Sequence, residues 1–316
     1  MEDKYGRAIT YLRISVTDLC NLRCIYCMPE KGVKKLKHDD VLRLEEIEHI
    51  ADQFISLGIT KIRITGGEPL VRKGITDLLR KLGNDRRLKD FSMTTNGILL
   101  DEFADELKKT GIKRINISVD TLDARKYSYI TRGGDIERLK KGLDSAKNTG
   151  FEPIKLNVVL IKDFNDDEIE DFARLTYEGL NVRFIELMPL GDSVLWASSR
   201  FISNQYVLNS LKGLNKVQYD SESSAINYRL PGANGHIGLI SPVSCKFCRN
   251  CSRIRLSAEG RLYPCLHSEM SLDLKTLLRQ GRDIKGAVQE FIYNKPFSHR
   301  FENKEFANRN MIQIGG

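Results

Sequence analysis

Apolar and polar positions follow two rhythms along the first two-thirds of the chain. Six short runs rich in β-branched residues read as strands: YLRISVT (11–17), KIRIT (61–65), FSMTTN (91–96), INISVD (115–120), IKLNVVL (154–160) and VRFIELM (182–188). Between most of them apolar residues recur at steps of three and four, the period of a helix with one buried face. Ile47, Ile50, Ala51, Phe54 and Ile55 form such a face, and Gly58 stops it before the next strand. The pattern repeats with Leu100, Phe103 and Leu107 ahead of Gly111, with Ile136, Leu139 and Leu143 ahead of Gly150, and with Ile169, Phe172 and Ala173 ahead of Gly179.

Strands alternating with helices predict an α/β fold with a parallel sheet and right-handed crossovers. The rhythm alone leaves two forms open, a doubly wound sheet and part of a β/α barrel. In both, functional groups gather at the carboxyl ends of the strands. TDLCNLRC, TGGEP, TTNG and SVD fall there after the first four strands. Past about residue 190 the rhythm is lost. The segment 221–238 is polar, with turn signals at Pro231-Gly232 and Asn234-Gly235. This predicts two regions, 1–220 and 221–316, the second holding a helix around 271–293 and a polar tail ending Ile314-Gly315-Gly316.

Composition narrows the classes. The 316 residues are 41% hydrophobic and 29% charged, with 50 Lys+Arg against 42 Asp+Glu and a net charge of +8. No run approaches the roughly 18 apolar residues of a membrane helix. MEDKYGRAIT lacks the apolar middle of a signal peptide, so a cytoplasmic protein with no membrane partner is expected. The basic excess is dispersed, as in KLKHDD (35–40) and NDRRLKD (84–90), where acids stand beside bases. With no basic stripe interleaved with aromatics, no nucleic-acid partner is expected.

The seven cysteines are the sharper signal. An odd count in a reducing compartment speaks for metal or redox chemistry rather than disulfides. Cys20, Cys24 and Cys27 form one cluster and Cys245, Cys248, Cys251 and Cys265 another, with none between 28 and 244. A zinc site usually shows four ligands in two pairs. The compact triplet C-x3-C-x2-C points instead to a four-iron cluster with one iron left for an outside ligand, while a zinc site completed by a distant residue is the competing reading.

C-x3-C-x2-C, with Tyr26 just before the last cysteine, resembles the signature of radical S-adenosylmethionine enzymes. Gly66-Gly67-Glu68-Pro69, one strand later, resembles their glycine-rich motif, which receives the methionine amino group of S-adenosylmethionine. The resemblance implies a partial barrel of six β/α units, which decides between the two fold forms. It also implies reductive cleavage of S-adenosylmethionine, bound at the unique iron of a 4Fe-4S cluster, to a 5′-deoxyadenosyl radical.

The second cluster lies in CKFCRNCSRIRLSAEGRLYPCL (245–266). Arg253 and Arg255 follow Cys251 on a predicted strand, where residues two apart point the same way and can face one anion. Cys248-x2-Cys251-x13-Cys265 with this basic pair resembles the C-terminal motif of the GTP 3′,8-cyclase family of molybdenum cofactor biosynthesis. Lys295-Pro296, His299, Arg309, Met311 and the terminal Gly315-Gly316 resemble that family's ending, so the resemblance covers essentially the whole chain. It implies a second 4Fe-4S cluster on Cys248, Cys251 and Cys265 whose open iron binds guanine, and a tail that reaches the active site. Cys245 departs from the motif and is expected to be a bystander thiol; as a fourth ligand it would close that iron.

By the same matching, Tyr26, Gly67, Glu68, Ser118 and Met188 are expected to contact S-adenosylmethionine. Arg13, Lys61, Arg63, Thr94, Lys155, Arg183, Arg253, Ile254 and Arg255 are expected to contact GTP. Cys20, Cys24, Cys27, Arg253 and Arg255 are the expected catalytic set, and Asn96 is expected nearby. Arg13 and Arg63 sit inside otherwise apolar strands, where an unpaired charge costs several kcal/mol. They need either an anion or an internal carboxylate such as Glu68 or Glu186. Arg132-Gly133-Gly134 falls near the site without an assigned role.

The implied reaction is radical cyclisation of GTP to 3′,8-cyclo-7,8-dihydro-GTP, which a cyclic pyranopterin monophosphate synthase consumes. The implied partners are GTP and an electron donor, with a homodimer as a candidate assembly. The competing readings are a peptide-modifying radical enzyme with an auxiliary cluster and a non-enzymatic cysteine-rich binding module.

Overall fold

A computed structural model describes residues 1–33, 36–217, 224–299, 301 and 306–315. The predicted boundary near 220 and the terminal Gly316 lie outside the described residues.

The six expected strands form β1 (Tyr11–Ser15), β2 (Lys61–Thr65), β3 (Asp90–Thr95), β4 (Arg114–Ser118), β5 (Ile154–Leu160) and β6 (Asn181–Glu186). They pair in parallel in chain order. Helices α1 (Leu44–Ser56), α2 (Ile75–Gly83), α3 (Leu100–Lys109), α4 (Ala124–Thr131), α5 (Ile136–Asn148) and α6 (Ile169–Arg174) make the crossovers. The face expected on α1 is the buried one, Ile47, Ile50, Ala51, Phe54 and Ile55. Helix α2, which buries Ile75, Leu78, Leu79 and Leu82, is an addition to the expected set.

The later strands β7 (Asn215–Lys216), β8 (Ile226–Arg229), β9 (Ile237–Ile240), β10 (Arg253–Leu256), β11 (Arg261–Tyr263) and β12 (Leu272–Asp273) join the same sheet. Its order is β12-β11-β10-β1-β2-β3-β4-β5-β6-β9-β8-β7. The sheet therefore stays open, a partial (β/α)6 barrel whose two edges are extended by strands from the C-terminal third. β10 lies parallel to β1 and β9 parallel to β6. The helix expected over 271–293 is two helices, Leu274–Arg279 and Ile284–Tyr293. Gly281, at φ 67°, breaks the run, and the Asp283 side chain caps the second piece by accepting from the Lys285 N–H.

Side chains alternate along each strand. On β1, Leu12 and Ile14 are fully buried in the hydrophobic core. Tyr11 and Arg13 point the other way, into the barrel's interior cavity.

Candidate active site

The interior cavity holds about 450 Å³ and is lined by both cysteine triads. Cys20, Cys24 and Cys27 sit on the loop that follows β1. Cys248, Cys251 and Cys265 sit on the segments flanking β10 and β11. Among the described residues no three His, Cys, Asp or Glu side chains converge at the spacing of a single metal ion. Cys245 is exposed and is not part of the wall.

At the first triad, Gly66 and Gly67 press against the cysteine loop. The Gly67 N–H donates to Thr17 O (2.8 Å) and the Glu68 N–H to Leu19 O (2.8 Å). A Cβ on Gly67 would stand 2.3 Å from that Leu19 oxygen, so only glycine fits. Glu68 is fully buried and turned away from the cavity. Its carboxylate accepts from Leu70 N, Thr95 Oγ1 (2.8 Å) and Asn96 N (2.7 Å), and burial raises it to about 7. Asn96 in turn donates to Asn21 Oδ1 (2.7 Å) and to Cys20 Sγ (3.8 Å).

The Tyr26 hydroxyl donates to Asp120 Oδ2 (2.7 Å), and Asp120 Oδ1 accepts from Val159 N (2.9 Å). Burial lifts the Asp120 carboxyl to about 6. Burial also pushes the Cys20 thiol up to about 11 and Cys27 to about 12. Three thiols on one loop facing the cavity, with Asn96 donating to one of them, are a donor set that fits an iron–sulfur cluster. Thiolates bound to iron carry none of the protons that burial otherwise holds on these sulfurs. Arg132, given no role from the sequence, donates through Nη1 to Arg23 O (3.0 Å) and Met28 O (2.9 Å), so it bridges the two sides of this loop.

The second triad has cations behind it. Burial raises the Cys251 thiol, but the Lys295 ammonium and the Arg253 guanidinium outweigh it and bring the group down to about 7. Lys295 is 2% exposed and donates to Arg253 O (2.6 Å), Pro264 O and Cys251 Sγ (3.8 Å). Arg7 donates to Cys248 O (2.8 Å), Phe297 O (2.8 Å) and Pro296 O (2.7 Å) while paired with buried Asp3 at 2.6 Å. This second donor set fits a cluster equally well. His267 and Phe301 pack beside it with ring centroids 4.1 Å apart, and His267 is pushed down to about 2 by burial and by His299.

Between the triads the wall is cationic, row by row. Register sets Arg13 between Arg255 and Arg63, and Tyr11 between Arg253 and Lys61. Lys155 pairs with Asn181, and Arg183 with Asn157. Burial, then neighbouring cations, depress Arg13, Arg63, Arg183 (to about 9) and Arg255 (to about 10). These guanidiniums stay charged, and burial among like charges makes the cavity favour an anion. The carboxylates that were candidate partners serve elsewhere. Glu68 holds Thr95 and Asn96, and Glu186 accepts from Asn204 N, Val243 N and Ser244 N. Among the described residues that line the cavity the acids are Asp90, paired with Arg114, and Asp120, which takes the Tyr26 hydroxyl.

Tyr11 OH, Arg13 Nε, Thr94 Oγ1, Asn157 Oδ1 and His267 Nδ1 are buried without a protein partner, and all five residues line the cavity. Unmet polar groups gathered on one wall are what a polar ligand would satisfy.

Of the expected site residues, Tyr26, Gly67, Ser118, Met188, Arg13, Lys61, Arg63, Thr94, Lys155, Arg183, Arg253, Arg255 and the six cysteines reach the cavity. Glu68 and Ile254 do not. Ile254 is fully buried on the core face of β10, because alternation turns it opposite to Arg253 and Arg255. The tail does reach in: Met311 lines the cavity, the Ile312 N–H meets Cys27 Sγ, and Arg255 donates to Gly315 O. The sequence reading missed Tyr11, Asp120, Arg114, Arg7 and the part played by Arg132. Tyr11 was legible as an inward position of a predicted strand; Arg114 fell one residue before the strand expected over 115–120, and Arg7 had no local signal.

A family model described as the radical SAM superfamily matches residues 14–176, and one described as Molybdenum Cofactor Synthesis C matches residues 180–301. A GTP 3′,8-cyclase of Peptoclostridium acidaminophilum is 53% identical over 99% of this chain and 98% of its own length. That of Alkaliphilus metalliredigens is 49% identical over the whole of both chains. The crystal structure of Streptococcus suis SuiB superposes with a TM-score of 0.63 at 16% identity, covering 92% of this chain and 67% of its own, a likeness of fold alone. The chain belongs to the radical S-adenosylmethionine superfamily and, within it, to the GTP 3′,8-cyclase family of molybdenum cofactor biosynthesis.

Proposed function

We propose that this chain converts GTP to 3′,8-cyclo-7,8-dihydro-GTP, with S-adenosylmethionine and two 4Fe-4S clusters as cofactors. The observation that carries this reading is the stack of buried, carboxylate-poor cation rows between two cysteine triads in one cavity. A triphosphate, whose charge guanidiniums match with paired hydrogen bonds, answers that field; a neutral peptide does not.

Cys20, Cys24 and Cys27 hold the first cluster and Cys248, Cys251 and Cys265 the second, with Cys245 outside both. When bound, the first cluster and S-adenosylmethionine supply hydrogen-atom abstraction at the ribose 3′ carbon, and the second cluster supplies guanine binding and an electron. The rest is positioning by the chain. Gly67 offers its backbone to the methionine end, with Glu68 fixing Thr95 and Asn96 beside it, and Tyr26, Ser118 and Met188 line the nucleoside part. Arg13, Lys61, Arg63, Lys155 and Arg183 hold the triphosphate. Thr94, Arg253 and Arg255, with the Ile254 backbone between the last two, orient the ribose and base. The tail through Gly315 screens the reacting carbons from water.

Residues 1–220 form the radical-generating region and 221–316 the substrate region. No helix among the described residues is long and apolar enough to cross a membrane. We place the enzyme in the cytoplasm, drawing on an electron donor, passing product to a cyclic pyranopterin monophosphate synthase, and able to pair as a homodimer.

The test is anaerobically reconstituted, reduced protein with S-adenosylmethionine and GTP. Cyclised nucleotide and 5′-deoxyadenosine are expected together. In Arg253→Ala/Arg255→Ala, cyclisation should fall by about a thousandfold with iron and uncoupled 5′-deoxyadenosine release retained. Untouched GTP alongside a different substrate that triggers 5′-deoxyadenosine release would sink the assignment, and loss of iron in the double variant would make the arginines structural.

A further inference from the structure

A second, smaller cavity of about 300 Å³ lies at the amino ends of β5, β6 and β9. Its outer rim carries Glu152, Gly179 and Asn234, all exposed. Its inner wall is Lys155, Arg183 and Asn227, the same side chains that close one end of the main cavity. The two spaces are thus separated by one row of side chains. Gly238 keeps that row thin. It pairs with Arg183 in register, and a Cβ there would stand 3.1 Å from Arg183 Cγ and 3.1 Å from Asn227 Oδ1. Lys155 and Arg183 make no hydrogen bond or ion pair with any described carboxylate, so both remain available to an anion from either side.

We propose that this row is the seat of the substrate's terminal phosphate and that the smaller cavity is a second mouth, through which that phosphate faces solvent. The inference rests on GTP being the substrate. Cations run outward from Arg13 and Arg63 to Lys155 and Arg183, so a triphosphate laid along them ends at the last pair. Those two are the cations shared with the smaller cavity. The base and ribose stay inside, where the radical chemistry must be shielded, while the inert end of the molecule is exposed. The site then tolerates substituents on the γ-phosphate that a closed pocket of this size would reject.

GTP bearing a fluorophore on its γ-phosphate tests this by anisotropy with cluster-loaded protein under anaerobic conditions. The labelled nucleotide should bind within about tenfold of GTP and be displaced by it. Asn234→Trp, at the exposed rim and outside the catalytic machinery, should weaken the labelled nucleotide by about tenfold or more while leaving GTP within about twofold. Failure of the labelled nucleotide to bind where GTP binds overturns the proposal, as does an Asn234→Trp effect equal on both. Failure of unlabelled GTP itself to bind counts against the substrate reading instead. Inorganic triphosphate labelled at one end, read in the same assay, then tests the mouth without the base.

Discussion

The first cysteine loop, Cys20 to Cys27, hangs from β1 and is held by its own barrel. Gly66 and Gly67 zip against it from the end of β2, Asn96 reaches it from β3, and Arg132 ties Arg23 to Met28 from the end of α4. The second loop is held by the two ends of the chain. Arg7 grips Cys248 from the amino terminus and Lys295 grips Arg253 and Pro264 from the carboxyl side, with Pro296 and Phe297 closing onto Arg7. One cluster site is therefore held mainly by the barrel, the tail adding only the Ile312 N–H at Cys27 Sγ. The other is complete only when residues separated by nearly the whole sequence have met. The electrostatics differ in the same sense. Burial first, and then neighbouring acids and thiols, raise the thiols of the first triad, whereas cations behind the second bring Cys251 down.

Arg7→Ala breaks this contrast most severely. It leaves the Asp3 carboxylate buried and unpaired, a loss of about 3–5 kcal/mol, and frees three carbonyls around the second loop. Iron in the reconstituted protein should drop from about eight to about four per chain, while S-adenosylmethionine cleavage at the first site persists. Iron analysis with electron paramagnetic resonance reads both. Retention of all the iron in a folded variant would show that the chain ends do not hold the loop. Arg7→Lys, which keeps the charge but not the fork, should fall between.

The next effect sharpens the cationic end. Burial first, then Arg183, Arg114 and Arg63, hold the Lys155 ammonium down at about 7. A bound triphosphate stabilises the charged form and raises that value, so above about pH 7 binding takes up a proton. Affinity for GTP should therefore fall as pH rises from about 7 to 9, by up to about tenfold per unit, and this contribution should vanish below about pH 6. Lys155→Arg stays charged throughout and should remove the slope in calorimetric titrations. An undiminished slope in that variant would move the proton to another group.

This division also explains what was legible. Residues whose role follows from strand position were readable: inward-facing Arg13, Arg63 and Lys155 stand at alternating sites of predicted strands, and the glycines of GGEP fall at a strand end where the chain must approach another backbone. Glu68 was readable as important but not for its contacts, since only the fold reveals that Thr95 and Asn96 take up its carboxylate. Ile254 follows the opposite logic, its neighbours' alternation turning it into the core. Arg7 was illegible as a partner of Cys248, Pro296 and Phe297 because nothing local links residues 241, 289 and 290 apart. The break at Gly281 inside the expected 271–293 helix was missed because the apolar spacing carries across it.

Arg132→Gly probes the locally held loop, and its effect should be the smallest. Arg132 caps α4 at φ 54°, ψ 58°, the left-handed region that costs a side-chain-bearing residue about 1 kcal/mol and glycine almost nothing. Its two hydrogen bonds to Arg23 O and Met28 O, on a partly exposed side chain, contribute about 1 kcal/mol each at most. Substitution by glycine thus gains in backbone what it loses in contacts, and the melting temperature should move by no more than about 4 °C. The loop, however, loses the strap across Cys24 and Cys27 while Gly67 and Asn96 still hold its other side. Iron content should stay at two clusters and 5′-deoxyadenosine formation should fall only about three- to tenfold, roughly 1 kcal/mol in barrier. A variant that loses the first cluster outright would mean that this loop depends on one distant arginine as heavily as the second does, and the contrast between the two would be gone.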